Sequence, residues 1–323
     1  MKRTAAGGSA CGSRLLRAGF AALGWTAGCA TVGQIPDTSF TPAIAHPAYT
    51  SADGPVVCLD EGHFNFHTST GRFLPFAETL RRDGYVVRAV SAPLSSSEAL
   101  AGCQVLVIAN ALSKANQDHW TLPAYSAFSE AEIASVAQWV RDGRSLLLIA
   151  DHMPFPGSAA DLAAAFGILF SNGFATDSSR IPHRLVFRRT DGSLGDHPIT
   201  HGRAAAERID SVMTFVGQAF RAQAGVPVTA LLVLPPKALL LMPSTAWKFS
   251  DKTPQLPASG LLQGAVAVFG RGRLAVFGEA AMFSAQVTGI DREPMGMNVP
   301  EASQNVQFLL NVVHWLSGVL PSP

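Results

Sequence analysis

The segment Ser145-Leu-Leu-Leu-Ile-Ala150, followed at once by Asp151-His152, constrains this chain more than any other stretch. An unbroken apolar run with no alternation describes a strand covered on both faces, the habit of parallel sheets in α/β domains. The abrupt change to two ionisable residues marks the carboxyl end of that strand, where open α/β sheets present their chemistry. Three further segments repeat the pattern. Val56-Val-Cys-Leu59 runs into Asp60-Glu61-Gly62-His63, Val105 to Ala109 runs into Asn110, and Leu274 to Gly278 runs into Glu279. Four parallel strands of this kind bring Asp60, Glu61, His63, Asn110, Asp151, His152 and Glu279 to one edge of one sheet.

Between these strands the period changes to that of helices. Phe73, Phe76, Ala77 and Leu80 share one helical face within Gly71 to Asp83, and Gly84 caps that helix before a strand over Tyr85 to Val90. A short helix is expected over Ser95 to Ala101, a strand over Gln104 to Ala109 and a long loop over Ala111 to Phe128. Ser129 and Glu132 have capping-box spacing and open a helix to Asp142, with Ile133, Val136, Ala137 and Val140 facing the sheet. A further helix is expected over Ser158 to Phe166. Strand and helix thus alternate, which predicts right-handed crossovers and a mainly parallel sheet. The middle of the chain, Leu169 to Phe215, is rich in Gly, Asp and Ser, and strands follow at Val228 to Leu234 and Ala238 to Met242. Ala265 to Phe269 and Leu274 to Phe277 form a hairpin with a four-residue loop, Gly270 to Arg273. The C-terminal half therefore adds antiparallel strands. Phe283 to Pro300 is expected as a polar loop, and Ala302 to Leu316 as a closing helix.

Of the 323 residues 48% are hydrophobic and 15% charged, enough for a full core in one domain spanning 55–318. The net charge of +1, with Lys and Arg scattered, provides no basic field for nucleic acid. Residues 1–29 differ from the rest. Lys2, Arg3, Arg14 and Arg17 precede an apolar stretch, Ala18 to Gly28, too short to span a bilayer and built like an export signal. Thr26-Ala27-Gly28-Cys29 resembles a bacterial lipobox with Thr in place of the usual Leu. That reading makes Cys29 a lipidated N-terminus at the periplasmic face of a membrane, with ordinary cleavage near Ala30 as the alternative. Pro36, Pro42 and Pro47 and the lack of periodicity suggest a tether over 30–54. Cys58 and Cys103 remain. Aligning the strand ends Asp60 and Asn110 puts them more than ~10 Å apart at ~3.3 Å per residue, beyond disulfide reach, so two buried thiols are expected.

Asp151-His152 and the segment Asp60-Glu61-Gly62-His63-Phe64-Asn65-Phe66-His67 combine carboxylates with imidazoles. Such groups suit a divalent metal such as zinc, with His63, His67, Asp151 and His152 as candidate ligands, and equally suit acid–base work on a water. The spacing matches no established metal signature, and His63 and His67 share no helix. Glu279 is a candidate base or a cap for the turn that follows it. Asp60, Asn65, His67, Asn110, Gln286 and Asn298 are candidates for binding a polar substrate, the last two in an amide-rich rim suited to hydroxyl or carbonyl groups. Trp120, Tyr125, Trp247 and Phe249 have the shape for stacking on sugar rings or for covering core. His197 and His201 flank a proline in a turn-like segment, and His314 reads as a packed structural histidine. No Walker loop, no Gly-x-Ser-x-Gly and no Gly-x-Gly-x-x-Gly after the first strand is present, so no nucleotide cofactor is expected.

Four stretches, Ala134 to Asp151, His197 to Gly202, Ala275 to Phe283 and Asn305 to Leu316, resemble the class I glutamine amidotransferase-like superfamily. The likeness is to its exported branch, shared with gliding-motility accessory proteins and an intraflagellar-transport domain. The resemblance implies a flavodoxin-like three-layer sandwich, with antiparallel strands added in the C-terminal half. It also implies that the turn after Ser145 to Ala150 is the position of the superfamily's nucleophilic cysteine, held here by Asp151. Two functions follow. One is a hydrolase in which Asp151 or Glu279 activates water, with His152 or His63 as proton carrier, Glu61 among the catalytic candidates, and Asn110 with backbone amides steadying the oxyanion. The other is a non-catalytic module of the cell envelope that grips a glycan-like ligand or a protein.

Overall fold

A computed structural model of the chain describes residues 33–96, 98–177 and 184–322. The export signal and the lipidation candidate Cys29 lie outside the described residues. Among the described residues no helix is long and apolar enough to cross a membrane.

The chain runs through β1 (Ile35–Pro36), β2 (Val56–Asp60), α1 (Leu74–Arg82), β3 (Val86–Val90), β4 (Val105–Ala109), α2 (Glu130–Arg141) and β5 (Ser145–Ile149). Two short helices, α3 (Phe155–Ser158) and α4 (Ala160–Ala164), precede β6 (Ile168–Phe170), β7 (Phe174–Asp177) and β8 (Leu185–Arg188). Next come α5 (Pro198–His201), β9 (Ser211–Thr214), β10 (Phe220–Ala222), β11 (Thr229–Val233), β12 (Ala238–Leu241) and β13 (Gln255–Pro257). The hairpin β14 (Leu262–Phe269) and β15 (Gly272–Phe277), the pair β16 (Ala285–Thr288) and β17 (Glu293–Gly296), and α6 (Asn305–Ser317) close the chain.

The central sheet has the order β3-β2-β4-β5-β15-β14-β10-β6, with β11 also paired to β14. Its first five strands are parallel, and β14, β10 and β11 add antiparallel pairings as expected. Successive residues of a strand point to opposite faces, and the two cores divide accordingly. Val105, Val107, Leu147 and Ile149 join Phe76 and Leu80 of α1 and Phe308 and Val312 of α6 on one face. Leu106, Ile108, Leu146 and Leu148 join Val136 and Val140 of α2 and Phe155 and Leu162 on the other. This is the three-layer α/β sandwich with a mainly parallel sheet and an antiparallel extension.

The helix α2 begins with the capping box, Ser129 and Glu132 each satisfying a backbone donor of the other. Several expectations are corrected. The described residues of Ser95 to Ala101 form turns rather than a helix, and Gly270-Arg271 alone joins β14 to β15, because Phe269 pairs with Gly272. The supposed polar loop after Phe283 contains the hairpin of β16 and β17. The described part of the supposed tether is built into the domain: β1 pairs with β16, the Ala48 amide donates to Asp83 at 2.8 Å, and Tyr49 packs on Tyr85.

The two thiols are also corrected: Cys58 and Cys103 form a disulfide, with Cα atoms 5.8 Å apart. Two causes bring them together. Cys58 pairs with Leu106 rather than Ile108, so the strands are offset by two residues from the alignment of their polar ends. A turn through Ala101-Gly102, closed by the Cys103 amide on the Leu100 carbonyl, then folds Cys103 back. The Arg88 guanidinium lies 3.3 and 2.9 Å from the two sulfurs.

Candidate functional site

Strand order among the parallel strands reverses at β2, whose neighbours are β3 on one side and β4 on the other. Such a switch point opens a crevice at the carboxyl ends, the standard ligand position in this architecture. The loop from Glu61 to Thr70 leaves β2 there and is tied to the end of β4, the Phe66 amide donating to the Asn110 carbonyl and the Leu112 amide to the His63 carbonyl.

On the β2 side, the His63 ring is held between two carboxylates. Nδ1 lies 2.8 Å from Asp60 Oδ1, and Nε2 lies 3.1 Å from Glu132 Oε1. Burial alone would lower the proton affinity of His63, but Asp60 and then Glu132 override it and the pKa is raised. Asn65 completes the cluster, donating to Asp60 Oδ2 and accepting from the His63 amide. Glu61 turns away and accepts from the amide and hydroxyl of Ser69, which makes it a clasp for the loop rather than a member of the site.

At the centre stands Asn110, in the left-handed region at φ +50, a conformation that Asn tolerates better than most residues. Its Oδ1 accepts from the Asp151 amide at 2.8 Å, and its Nδ2 lies 3.1 Å from His67 Nδ1. His67 is 3% exposed, and burial followed by the charges of Arg72 and His152 lowers its pKa to about 3.

The β5 side differs. Asp151 Oδ1 accepts from the His152 amide and Oδ2 from the Ala280 amide. Burial raises its pKa to about 7 against those two bonds. Glu279, at the end of the neighbouring strand β15, accepts from the Ala281 and Met282 amides at 2.7 Å each, so the capping role is real. Burial and then the Asp151 charge raise its pKa as well. Gly217 lets the backbone close behind it: a Cβ there would meet the Gly278 carbonyl at 2.1 Å and Glu279 Cβ at 2.9 Å. His152 Nδ1 donates to the Met153 carbonyl, which leaves the lone pair on Nε2, and burial lowers the pKa to about 4. Its ring stacks on Phe174 and meets Trp247 edge-on at 4.6 Å. Two loops cross above it, joined where the Ala246 amide donates to Trp120 and the Leu122 amide to Ser244. They leave Leu122, Tyr125, Trp247 and Phe249 between 44% and 54% exposed.

The structure therefore joins Asp60, His63, Asn65, His67, Asn110, Asp151, His152 and Glu279 along one edge. Gln286 lies on β16 and Asn298 two residues beyond β17, where Asn298 Nδ2 donates to Asp37 and to the Gln286 carbonyl. The four metal candidates do not converge: among the described residues no three His, Cys, Asp or Glu side chains are placed to hold a metal ion. His63 is consumed by Asp60 and Glu132. Sequence reasoning identified Glu132 only as a helix cap and missed Arg72, whose guanidinium lies 3.7 Å over the Phe66 ring. It also missed Gln218, which donates to the Ala150 carbonyl behind the β5 end. Of the remaining histidines, His197 caps α5, His201 pairs with Asp196, and His314 is buried against Asp83 at 2.6 Å. Cavities of about 340 and 380 Å3 lie elsewhere, beside Leu185 and Pro235 and beside Phe40 and Leu74.

No protein-family model matches the chain, and no curated protein matches it. Among solved structures it is similar to the mmIFT52 N-terminal domain, with a TM-score of 0.55 and 15% identity, covering 81% of this chain and 97% of that one. A ThuA-like protein from Parabacteroides merdae aligns over 84% of this chain and 92% of its own, at a TM-score of 0.47 and 9% identity. A cytoplasmic protein from Salmonella typhimurium aligns over 81% and 98%, at 0.45 and 12%. The first likeness establishes the fold alone, and it is one that the sequence resemblance anticipates.

Proposed function

We propose that this is an exported, lipid-attached envelope protein whose sheet edge performs acid–base hydrolysis on a small polar substrate. One observation carries the reading: Asp151 and Glu279, buried at the ends of adjacent parallel strands, both bind protons more tightly than ordinary carboxylates. A pair in which one charge raises the proton affinity of the other holds a proton near neutral pH, as a general acid requires. His152, neutral with its lone pair on Nε2, is the complementary base. Asp151 stands at the turn where the amidotransferase-like resemblance places a cysteine, and Cys58 and Cys103 are joined to each other. A carboxylate route therefore replaces a thiolate one. The disulfide supports export, since such bonds persist in oxidising compartments.

The test is a panel of chromogenic esters, amides and glycosides. Asp151→Asn, Glu279→Gln and His152→Ala should each reduce turnover by roughly 10²- to 10⁴-fold, the usual contribution of a positioned acid or base, while the protein stays folded. Wild-type protein inactive across the panel, or an Asp151→Asn variant as active as the wild type, overturns the hydrolase. A second reading, binding of a glycan-like ligand without turnover, is favoured by the exposed rings of Trp247, which meets His152, and Phe249, which meets the Phe174 ring stacked on His152.

A further inference from the structure

A chain of hydrogen bonds fixes the proton on one histidine of this edge. The Asp151 amide can only donate, so the Asn110 atom 2.8 Å away is its carbonyl oxygen. The other end of the Asn110 side chain is then its NH2 group, which donates to His67 Nδ1 at 3.1 Å. A neutral imidazole carries one proton, and with Nδ1 accepting, that proton sits on Nε2. Burial, helped by the neighbouring charge of Arg72, keeps the ring neutral throughout the physiological range.

The resulting Nε2–H is buried and has no acceptor in the protein. Buried donors are rarely left unpaired, because each costs on the order of 1–3 kcal/mol. A second donor shares the condition: Arg72 Nε is also buried without an acceptor. The two residues pack on one ring, Arg72 3.7 Å over Phe66 and His67 edge-on to it at 5.6 Å. Arg72 and Phe66 are further tied by a bond from Nη1 to the Phe66 carbonyl. Two orphaned donors with no acceptor between them call for an oxygen bearing negative charge.

We propose that His67, held as the Nε2–H tautomer by Asn110, acts with Arg72 Nε as the receptor for a carboxylate or oxyanion oxygen of the ligand. This rests on the ligand site placed at the sheet edge and gives it a chemical preference. In this arrangement His67 is not a metal ligand, because both ring nitrogens are committed, one accepting and one protonated. It is a positioning donor, and Asn110 acts through it.

The tautomer is read directly by NMR of the full chain labelled with ¹⁵N-histidine. The expected spectrum shows a protonated Nε2 and an unprotonated Nδ1 for His67, unchanged between about pH 5 and pH 8. Asn110→Asp should invert it: a carboxylate still accepts from the Asp151 amide but cannot donate, so the proton moves to Nδ1. Acetate is the probe for the oxygen. In the wild type it should shift the His67 Nε2–H resonance saturably, and in Asn110→Asp that response should be lost. An Nδ1–H tautomer in the wild type overturns the proposal. So does a correct tautomer whose resonance ignores acetate, including one held by an undisplaced water. Substrate turnover plays no part in these measurements. An inactive protein with the expected tautomer and acetate response removes the hydrolase and leaves the oxygen receptor standing, and an active protein with the wrong tautomer does the reverse.

Discussion

Asp60–His63 and Asp151–His152 stand on the same edge of the same sheet and are ionised in opposite senses. In the first pair the side chains meet, and a second carboxylate from Glu132 closes on the far side of the ring. Proton affinity of His63 rises, and the cluster is a set of mutually satisfied charges. In the second pair each member turns to backbone instead, Asp151 to amides and His152 to a carbonyl. Burial then works unopposed by a partner charge, raising the acid to about 7 and lowering the base to about 4. The same two residue types thus make a structural clamp where they are paired and a proton-handling site where they are kept apart.

Removing one member of the clamp should have the largest effect on stability. His63→Ala leaves two buried carboxylates facing each other, and breaking buried ion pairs in this way costs ~3–5 kcal/mol. Denaturant unfolding should show that loss. A His63→Ala protein of native stability but without activity would move the clamp into the catalytic machinery and break the comparison.

A smaller effect distinguishes the second pair by pH. Folded Asp151 keeps its proton to about pH 7, whereas an unfolded Asp releases it near pH 3.9. The folded state binds more protons between those values, so this residue makes stability fall as pH rises through them. His152 runs the other way. Its value drops from 6.5 to about 4 on folding, so its share of stability rises with pH across that window. Asp151→Asn deletes the falling limb alone. Its Tm should exceed that of the wild type at about pH 8, by roughly 2–4 °C for each kcal/mol, and converge with it near pH 4. Calorimetry showing parallel Tm curves at every pH would mean that Asp151 does not hold its proton.

The smallest effect sharpens the cause. Trp247 is 52% exposed yet meets the His152 ring at 4.6 Å. Trp247→Ala should change stability by no more than about 1 kcal/mol. It should, however, move the His152 titration upward from about 4 toward its ordinary value, as water reaches the ring. An unmoved titration assigns the desolvation to Phe174 and Phe155 beneath.

Much of this edge is legible in the sequence, because a strand buried on both faces must be apolar and its end must not be. Val56 to Asp60, Val105 to Asn110, Ser145 to Asp151 and Leu274 to Glu279 announce themselves in that way, and their parallel alignment follows from the alternation with helices. What a single strand does not carry is its register against the next. The disulfide was hidden there, in a two-residue offset and a turn before Cys103. Residues 33–54 have no period to read, since their attachment depends on distant groups such as Asp83 and Tyr85. The pair β16 and β17, containing Pro294, lacks the alternation that marks a hairpin. Glu132 was visible as a cap through Ser129, but its second oxygen finds His63 69 positions away in the chain.

That divided carboxylate ties two layers of the molecule into one opening unit. Glu132 Oε2 holds the first turn of α2 through Ser129, while Oε1 receives both His63 and the Leu94 amide. Fraying of the helix end releases the imidazole, and displacement of the imidazole loosens the helix end and the chain at Leu94. Local unfolding at this edge is therefore cooperative over segments far apart in sequence.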